Sequence, residues 1–148
     1  MKTRHCIGSS LLVLLSLLAG CHPLVELEFV NNTPFEIKVR CIEREGAGIA
    51  IPAGKSKRLK LFSDKPREYW VLWITTSKER WFYEFKDVST GERVTIPRGY
   101  WKQGAFSHEI AKMDVESDGK LYLIRPNANI SDKSNQPMHF PVHPIASN

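Results

Sequence analysis

Apolar and polar residues alternate with a period of two along much of the chain beyond residue 23. At the start of this part, Val25, Leu27 and Phe29 alternate with two glutamates. Successive side chains of a β-strand point to opposite faces of its sheet, so this period is typical of a half-buried strand. The pattern therefore predicts a β-strand over residues 24–30.

Similar patterns recur as far as residue 124. The run 69–76 is apolar on both faces, which predicts a central strand covered on two sides and joined as a hairpin to 81–85. Across 105–116 both a helix and a strand fit the spacing, and a strand from about Ile110 is favoured because a turn and another apolar segment follow. The other predicted strands cover 35–41, 49–51, 58–62, 93–96 and 121–124.

About seven to eight short strands separated by turns are typical of an antiparallel β-sandwich, immunoglobulin-like in architecture. We expect this domain to occupy residues 24–125. From residue 126 the apolar pattern ends and prolines accumulate. Residues 126–148 are therefore predicted to form a proline-rich extended tail, either draped on the domain or mobile.

The N-terminal residues have a different character. Lys2 and Arg4 precede an apolar run over 7–18 that contains no charged residue. A helix through that run would be about 18 Å long, whereas the hydrocarbon core of a bilayer is about 30 Å thick. The run is too short for a permanent membrane span and is typical of the apolar region of a signal peptide.

Leu18-Ala19-Gly20-Cys21 follows the apolar run and resembles the lipobox of bacterial lipoprotein signal peptides. The resemblance covers residues 1–21 only. It implies that cleavage between Gly20 and Cys21 removes residues 1–20, that the Cys21 thiol receives a diacylglycerol, and that the freed amine is acylated, for example with palmitate. Because His22 rather than an aspartate follows, the resemblance favours the outer membrane over the inner one.

Two or three long acyl chains would anchor such a protein stably to a bacterial membrane. Residues 21–23 would then be the lipidated N-terminus and a short tether. Three extended residues reach about 10 Å, so we expect the domain to lie close to the bilayer.

Composition is consistent with one modest domain. The chain has 148 residues, of which 42% are apolar, enough for a hydrophobic core. Without residues 1–20, 19 basic residues stand against 16 acidic ones, an excess too small to predict a dedicated nucleic-acid-binding protein. Cys6 lies in the removed segment, and after lipidation of Cys21 only Cys41 remains, so no intrachain disulfide is expected.

The residue types that usually catalyse reactions or bind metals form no recognisable constellation. Cys41 continues the apolar positions of its strand, which favours a buried thiol over a nucleophile activated by His108. Pro141 separates His139 from His143, so the helix that would align them on one metal ion is not expected, and exposed histidines are predicted. We therefore predict no enzyme activity, no cofactor and no metal site.

Aromatic residues are concentrated in the middle of the chain. Trp70 and Trp73 lie on opposite faces of one predicted strand and cannot form one platform, so core positions are favoured for most of this group. Tyr100 and Trp101 follow Gly99 in a predicted loop and are the pair expected to be exposed. The candidate ligand-binding residues are therefore Trp81, Tyr100 and Trp101.

These patterns predict a lipid-anchored cell-envelope protein whose sandwich binds or scaffolds an envelope protein. The alternative is a domain that binds carbohydrate or peptidoglycan through the three candidate aromatic residues. In addition, Lys55, Lys57, Arg58 and Lys60 are predicted to form a solvated strand face. Next to an anionic membrane such a face would orient the domain, and charge reversal at Lys57 and Lys60 would weaken the contact.

Overall fold

The computed structural model describes residues 24–42, 48–62, 71–85, 93–104 and 108–145. Within these ranges the chain forms an all-β sandwich of nine strands with one short 3-10 helix, Arg98–Tyr100. The strands are β1 (Leu24–Asn31), β2 (Ile37–Cys41), β3 (Ile49–Ile51), β4 (Ser56–Phe62), β5 (Val71–Thr75), β6 (Arg80–Glu84), β7 (Trp101–Gln103), β8 (Glu109–Val115) and β9 (Leu121–Ile124). The all-β sandwich predicted from the alternation is confirmed.

The first sheet, called sheet I, has the order β4–β1–β8, with two further strands on the outer edge of β8. β7 pairs with the first half of β8 and β9 pairs with the second half. β1 runs antiparallel to β4 but parallel to β8. The other strand pairs of the described sandwich are antiparallel, as predicted. The parallel pairing of β1 with β8 was not predicted, because alternation within a strand is the same whichever way its neighbour runs.

The second sheet, called sheet II, has the order β3–β2–β5–β6 and is antiparallel throughout. The predicted hairpin of β5 and β6 is confirmed, and β5 lies inside its sheet. Leu72 and Ile74 of β5 are fully buried, whereas Trp73 and Thr75 on the other face are only half-buried. The prediction that both faces of this strand are covered is therefore wrong for the outer face.

The core lies between the inner faces of the two sheets. Leu27 and Phe29 of β1 meet Ile37 of β2 and Leu72 of β5 there, and all four are fully buried. Burial of an aliphatic or aromatic side chain of this size stabilises the folded state by roughly 1.5–3 kcal/mol. The period-two alternation of each strand is thus explained by one shared core.

Two short segments differ from the sequence predictions. Residues 93–96 do not form the predicted strand; instead the Val94 N–H donates a hydrogen bond to the Phe85 carbonyl. The chain then passes through the 3-10 helix into β7, a strand of three residues that was predicted to be loop. Segments this short contain too few residues for the alternation to be diagnostic.

Residues 126–145, called the C-terminal strap, are draped on the sandwich, which decides between the two alternatives left by the sequence. Phe140 and Val142 are both buried, and Val142 and Leu121 exchange backbone hydrogen bonds. Farther along, Ile145 donates its N–H to the carbonyl of Phe82 in sheet II. The strap therefore links β9 of sheet I to β6 of sheet II.

The two ends of the sandwich can be told apart from the strand pairing. In sheet I, Leu24 at the start of β1 pairs with Phe62 at the end of β4. At the same end of sheet II, the Ile42 N–H, just after β2, donates to the carbonyl of Val71 at the start of β5. We call this the Leu24 end. The part of the chain that the structure describes contains no helix long and apolar enough to span a bilayer.

Candidate binding surface

The three aromatic residues proposed from the sequence do not share a surface. Trp81 is 8% exposed and Tyr100 is 7% exposed, while Trp101 is half-buried against the core. The Tyr100 hydroxyl donates to the Asn135 carbonyl of the strap at 3.0 Å. The prediction that Tyr100 is exposed is wrong, because the strap covers a position that the local sequence marks only as a loop.

The polar atoms of the two tryptophans are also engaged within the molecule. The Trp81 indole N–H donates to Glu79 Oε2 at 2.8 Å, and that of Trp101 donates to the Ile96 carbonyl at 3.0 Å. Trp81 belongs to sheet II, whereas Tyr100 and Trp101 lead into β7 of sheet I. The structure therefore does not bring the three together as a sugar-stacking platform.

The residues considered for catalysis or metal binding are likewise separated. Cys41 is buried on the inner face of sheet II, while His108 contacts Glu26 on the outer face of sheet I. His139 and His143 are exposed on the strap. Among the residues described, no three His, Cys, Asp or Glu side chains lie close enough together to hold a metal ion.

The basic residues of β4 and the turn before it are exposed, and β4 is an edge strand, as predicted. Because side chains alternate, however, Lys57 points to the side of Leu59, whereas Arg58 and Lys60 point to the opposite side. The single basic face predicted for this stretch is therefore wrong. Gly20 and Cys21, which carry the predicted cleavage and lipidation, lie outside the described residues.

The outer face of sheet I carries charges that are paired. Glu26, which the sequence placed on the solvent side of β1, is 3% exposed. Its Oε1 lies 3.3 Å from His108 Nε2, and its Oε2 lies 3.6 Å from the Arg58 guanidinium. Glu28 contacts Arg58 at 3.2 Å and the Lys112 ammonium at 3.7 Å. Each carboxylate of β1 thus has a basic partner.

The strap completes this pairing farther along the same face. Asp114 of β8 is fully buried, and the Lys133 ammonium of the strap lies 2.9 Å from its Oδ2. Lys133 also contacts Glu116 and lies 5.1 Å from the centre of the Tyr122 ring. Sheet I therefore presents an outer face on which buried carboxylates are compensated from within the chain.

The outer face of sheet II has the opposite character. Strand register places Arg40, Trp73 and Phe82 side by side in one row across β2, β5 and β6. Lys38, Thr75 and Arg80 form the next row. A shallow depression of about 290 Å³ is lined by five of these residues, which we call the basic face: Lys38, Arg40, Trp73, Thr75 and Arg80.

The centre of the basic face is a half-buried tryptophan held by its neighbours. The Trp73 ring lies 4.7 Å from the Phe82 ring, centre to centre, and the Arg80 guanidinium lies 5.6 Å from the Trp73 ring centre. Such a cation–π contact stabilises the arrangement by about 0.5–1 kcal/mol at an exposed site. The indole is therefore fixed in position with its flanking cations.

No carboxylate within the described ranges lies at ion-pairing distance from Lys38, Arg40 or Arg80. Strand register places Thr75 between Lys38 and Arg80 and sets Arg40 opposite Trp73, so the three cations surround uncharged side chains rather than facing one another directly. The basic face is thus a concentration of positive charge with no ion pair to a described carboxylate, and the glutamates on the same side of sheet II, Glu36 and Glu84, lie beyond its two ends.

The surface continues in both directions along the strands. Toward the Leu24 end, Ile42 follows Arg40 on the same side of β2 and is 44% exposed. Toward the other end, a second groove of about 530 Å³ shares Lys38 and Thr75 with the basic face. At its margin the Lys78 ammonium lies 4.8 Å from the Phe35 ring centre.

Sequence reasoning missed this surface, although each of its strands was predicted. Lys38 and Arg40 were seen as the polar side of β2, and Trp73 as part of an apolar run. Only the register of β2 with β5 and of β5 with β6 places them together. Comparison of the chain with protein-family models, with curated proteins and with solved structures found no match.

Proposed function

We propose that this protein is a lipid-anchored protein of the bacterial cell envelope whose sandwich is a binding or scaffolding module. In this proposal the basic face is the binding surface and acyl chains on Cys21 are the anchor. The lipobox-like residues ending at Cys21 support the anchor. Because β1 begins at Leu24, the tether would hold the Leu24 end within about 10 Å of the bilayer.

The observation that carries the binding role is the contrast between the two outer faces. On sheet I the carboxylates of Glu26, Glu28 and Asp114 are matched by Arg58, Lys112 and Lys133. On sheet II three cations surround Trp73 with no described carboxylate among them. A surface of this kind is completed by a partner that supplies negative charge, and arginine and tryptophan are the side chains that most often dominate binding energy.

A binding role has more support than a catalytic one. The only thiol–imidazole pair suggested by the sequence, Cys41 with His108, is divided between the inner face of one sheet and the outer face of the other. The carbohydrate-binding alternative has less support than the basic face, since Trp81 and Tyr100 are buried.

The anchor is tested by replacing the lipidated residue in the bacterial host. We expect Cys21→Ser to remain unprocessed and to lose flotation with membranes, since the serine hydroxyl cannot take the place of the thiol that receives the lipid. Cys6→Ser is the matched control, because residue 6 lies in the segment that would be removed. Normal processing and flotation of the Cys21→Ser protein would refute the anchor.

The same membrane fractions test the surface. A photoreactive residue at Thr75, within the basic face, should form crosslinks in intact cells that disappear when Arg40 and Arg80 are changed to glutamate. Lys102, exposed on β7 of sheet I, is the control position. Equal crosslinking from both positions would show that the basic face is not the binding surface.

A further inference from the structure

We propose that the basic face docks on the anionic headgroups of the same bilayer that holds the anchor, so that the sandwich lies with sheet II against the membrane. This inference rests on the proposed function and names the chemical class of its partner. It is carried by where the cations and the exposed apolar side chain lie relative to the Leu24 end.

The cations are distributed along the strands rather than gathered at one point. From the Leu24 end outward, Arg40, then Lys38 with Arg80, and finally Lys78 follow one another over the length of β2 and β5. A five-residue strand is about 17 Å long. An array of this length matches a plane of many headgroups, each contacting one or two side chains.

The apolar part of the surface lies at the end where the bilayer would be. Ile42 is 44% exposed and adjoins Arg40 at the Leu24 end, where its N–H bonds to Val71. Farther from the Leu24 end than Ile42 and Val71, the next apolar side chain on this face is Trp73, which lies opposite Arg40. Aliphatic side chains and indoles favour the boundary between headgroups and acyl chains, which is where this end of the face would meet the membrane.

The shape of the face argues against a small free anion as its occupant. Lys38, Arg40 and Arg80 are all exposed, and Thr75 is half-buried, so no polar group of the depression is buried enough to enclose an ion. Sites for small ligands usually bury most of the ligand surface. Four exposed cations spread over a shallow surface instead suit an extended anionic one.

Tethering favours the bilayer over a soluble acidic protein. A module held within about 10 Å of the membrane meets the headgroups at an effective concentration that a diffusing partner does not reach. Electrostatic attraction acts over about 10 Å at moderate ionic strength, so the tethered face is within range. Docking in this way would leave sheet I, with its paired charges and strap, facing the aqueous side.

The experiment uses the mature chain from residue 21 with Cys21→Ser, which retains every described residue. Sedimentation with vesicles of phosphatidylcholine alone is compared with vesicles of equal parts phosphatidylcholine and phosphatidylglycerol. We expect binding only to the anionic vesicles, weakening as salt is raised. Each basic residue near such a surface contributes about fivefold to partition, so neutralising three should lower it roughly 100-fold.

The triple variant Lys38→Gln, Arg40→Gln, Arg80→Gln removes three charges from the basic face. Its matched control, Lys55→Gln, Lys57→Gln, Lys60→Gln, removes the same charge from the β4 edge and the turn before it. Circular dichroism confirms that both remain folded. We expect the first variant to lose most of its vesicle binding and the control to retain most of it. This differs from the sequence-based prediction for Lys57 and Lys60, whose side chains lie on opposite sides of β4.

Three results would overturn the inference. Equal losses in the two triple variants would mean that net charge, rather than the basic face, drives the binding. No binding to anionic vesicles, together with saturable binding of polyglutamate that needs the basic face, would point to an acidic protein segment. Tight binding of inorganic phosphate alone would point to a free anion. Since this chain carries no acyl group, failure here leaves the anchor to be judged by the fractionation of Cys21→Ser in cells.

Discussion

At the scale of single residues, Asn31 shows how one side chain fixes the end of a strand. It is fully buried, and its amide N–H groups donate to the carbonyls of Phe35 at 2.7 Å and Ile51 at 2.9 Å. Its Oδ1 accepts the Thr33 N–H at 3.0 Å. The turn from sheet I to sheet II and the end of β3 are therefore held by one amide.

Replacing Asn31 by leucine should lower the free energy of unfolding by about 3 kcal/mol. The change removes the side-chain partner of the buried Ile51 carbonyl and of the buried Thr33 N–H, whereas the Phe35 carbonyl still accepts from the Thr33 hydroxyl at 2.9 Å. Each unsatisfied buried group costs about 1–3 kcal/mol, partly relieved by relaxation. Urea denaturation measures the loss. Asn32→Ala is the control, because Asn32 is exposed and its bond to Glu116 lies at the surface; a loss there equal to that of Asn31→Leu would contradict this account.

Tyr83 makes stability depend on alkaline pH. Its buried hydroxyl donates to the Gly119 carbonyl at 2.6 Å, joining sheet II to the turn between β8 and β9. Burial raises the pKa of this hydroxyl well above its ordinary range, and the Asp118 carboxylate adds to the rise. Above the ordinary tyrosine pKa of about 10, the unfolded chain therefore releases a proton that the folded chain retains.

It follows that the free energy of unfolding should fall as pH rises above about 10, by up to about 1.4 kcal/mol per pH unit from this group. Below that pH the contribution is fully present. Urea midpoints measured across this range should show the slope in the parent and in Tyr122→Phe, the matched control. Tyr83→Phe should lack this part of the slope, and an unchanged slope in that variant would disprove the assignment.

At the scale of elements, the strap is part of the folded domain, because it forms backbone hydrogen bonds with β9 of sheet I and with β6 of sheet II. The Gln136 side chain takes the place of a paired strand, accepting the Leu123 N–H at 2.9 Å and donating to the Leu123 carbonyl at 3.0 Å. Lys133 covers the buried Asp114 beside β9. Strap and strand β9 are therefore expected to unfold together.

Lys133→Met should destabilise the protein by about 3–5 kcal/mol, since it leaves the fully buried Asp114 carboxylate without its charge partner. The double variant Asp114→Leu, Lys133→Met should recover most of this loss, because no fully buried charge remains without a partner; Glu116, the other carboxylate that Lys133 contacts, is partly exposed. Thermal or urea unfolding measures both, and hydrogen exchange should show faster exchange in β9 for the single variant. If the double variant is no more stable than the single one, the loss does not arise from the unpaired Asp114 carboxylate.

The elements also show where sequence reasoning succeeds. β2 was predicted from a clean alternation because its core residues and its exposed cations contact different surroundings. β8 was found despite an ambiguous start, since a turn and β9 follow it. β7 was missed because its three residues pair only with the first half of β8, a contact between segments that no local pattern records.

At the scale of the whole molecule, the two outer faces differ in how their charges are balanced. The strap and the β4 edge supply cations to the carboxylates of sheet I. Sheet II receives no such covering from the described part of the chain and keeps its cations exposed. This asymmetry is the reason for assigning binding to sheet II and for expecting the sandwich to rest on the membrane by that side.

By itself, the sequence determined the all-β class, the positions of most strands and the resemblance to lipoprotein signal peptides, because these depend on the order and spacing of neighbouring residues. The tertiary structure decided the parallel pairing of β1 with β8, the burial of Glu26 and Tyr100, and the grouping of Arg40, Trp73 and Arg80. Such features depend on which strands become neighbours and in what register, and the free energy that selects them is distributed over contacts between residues far apart in the chain.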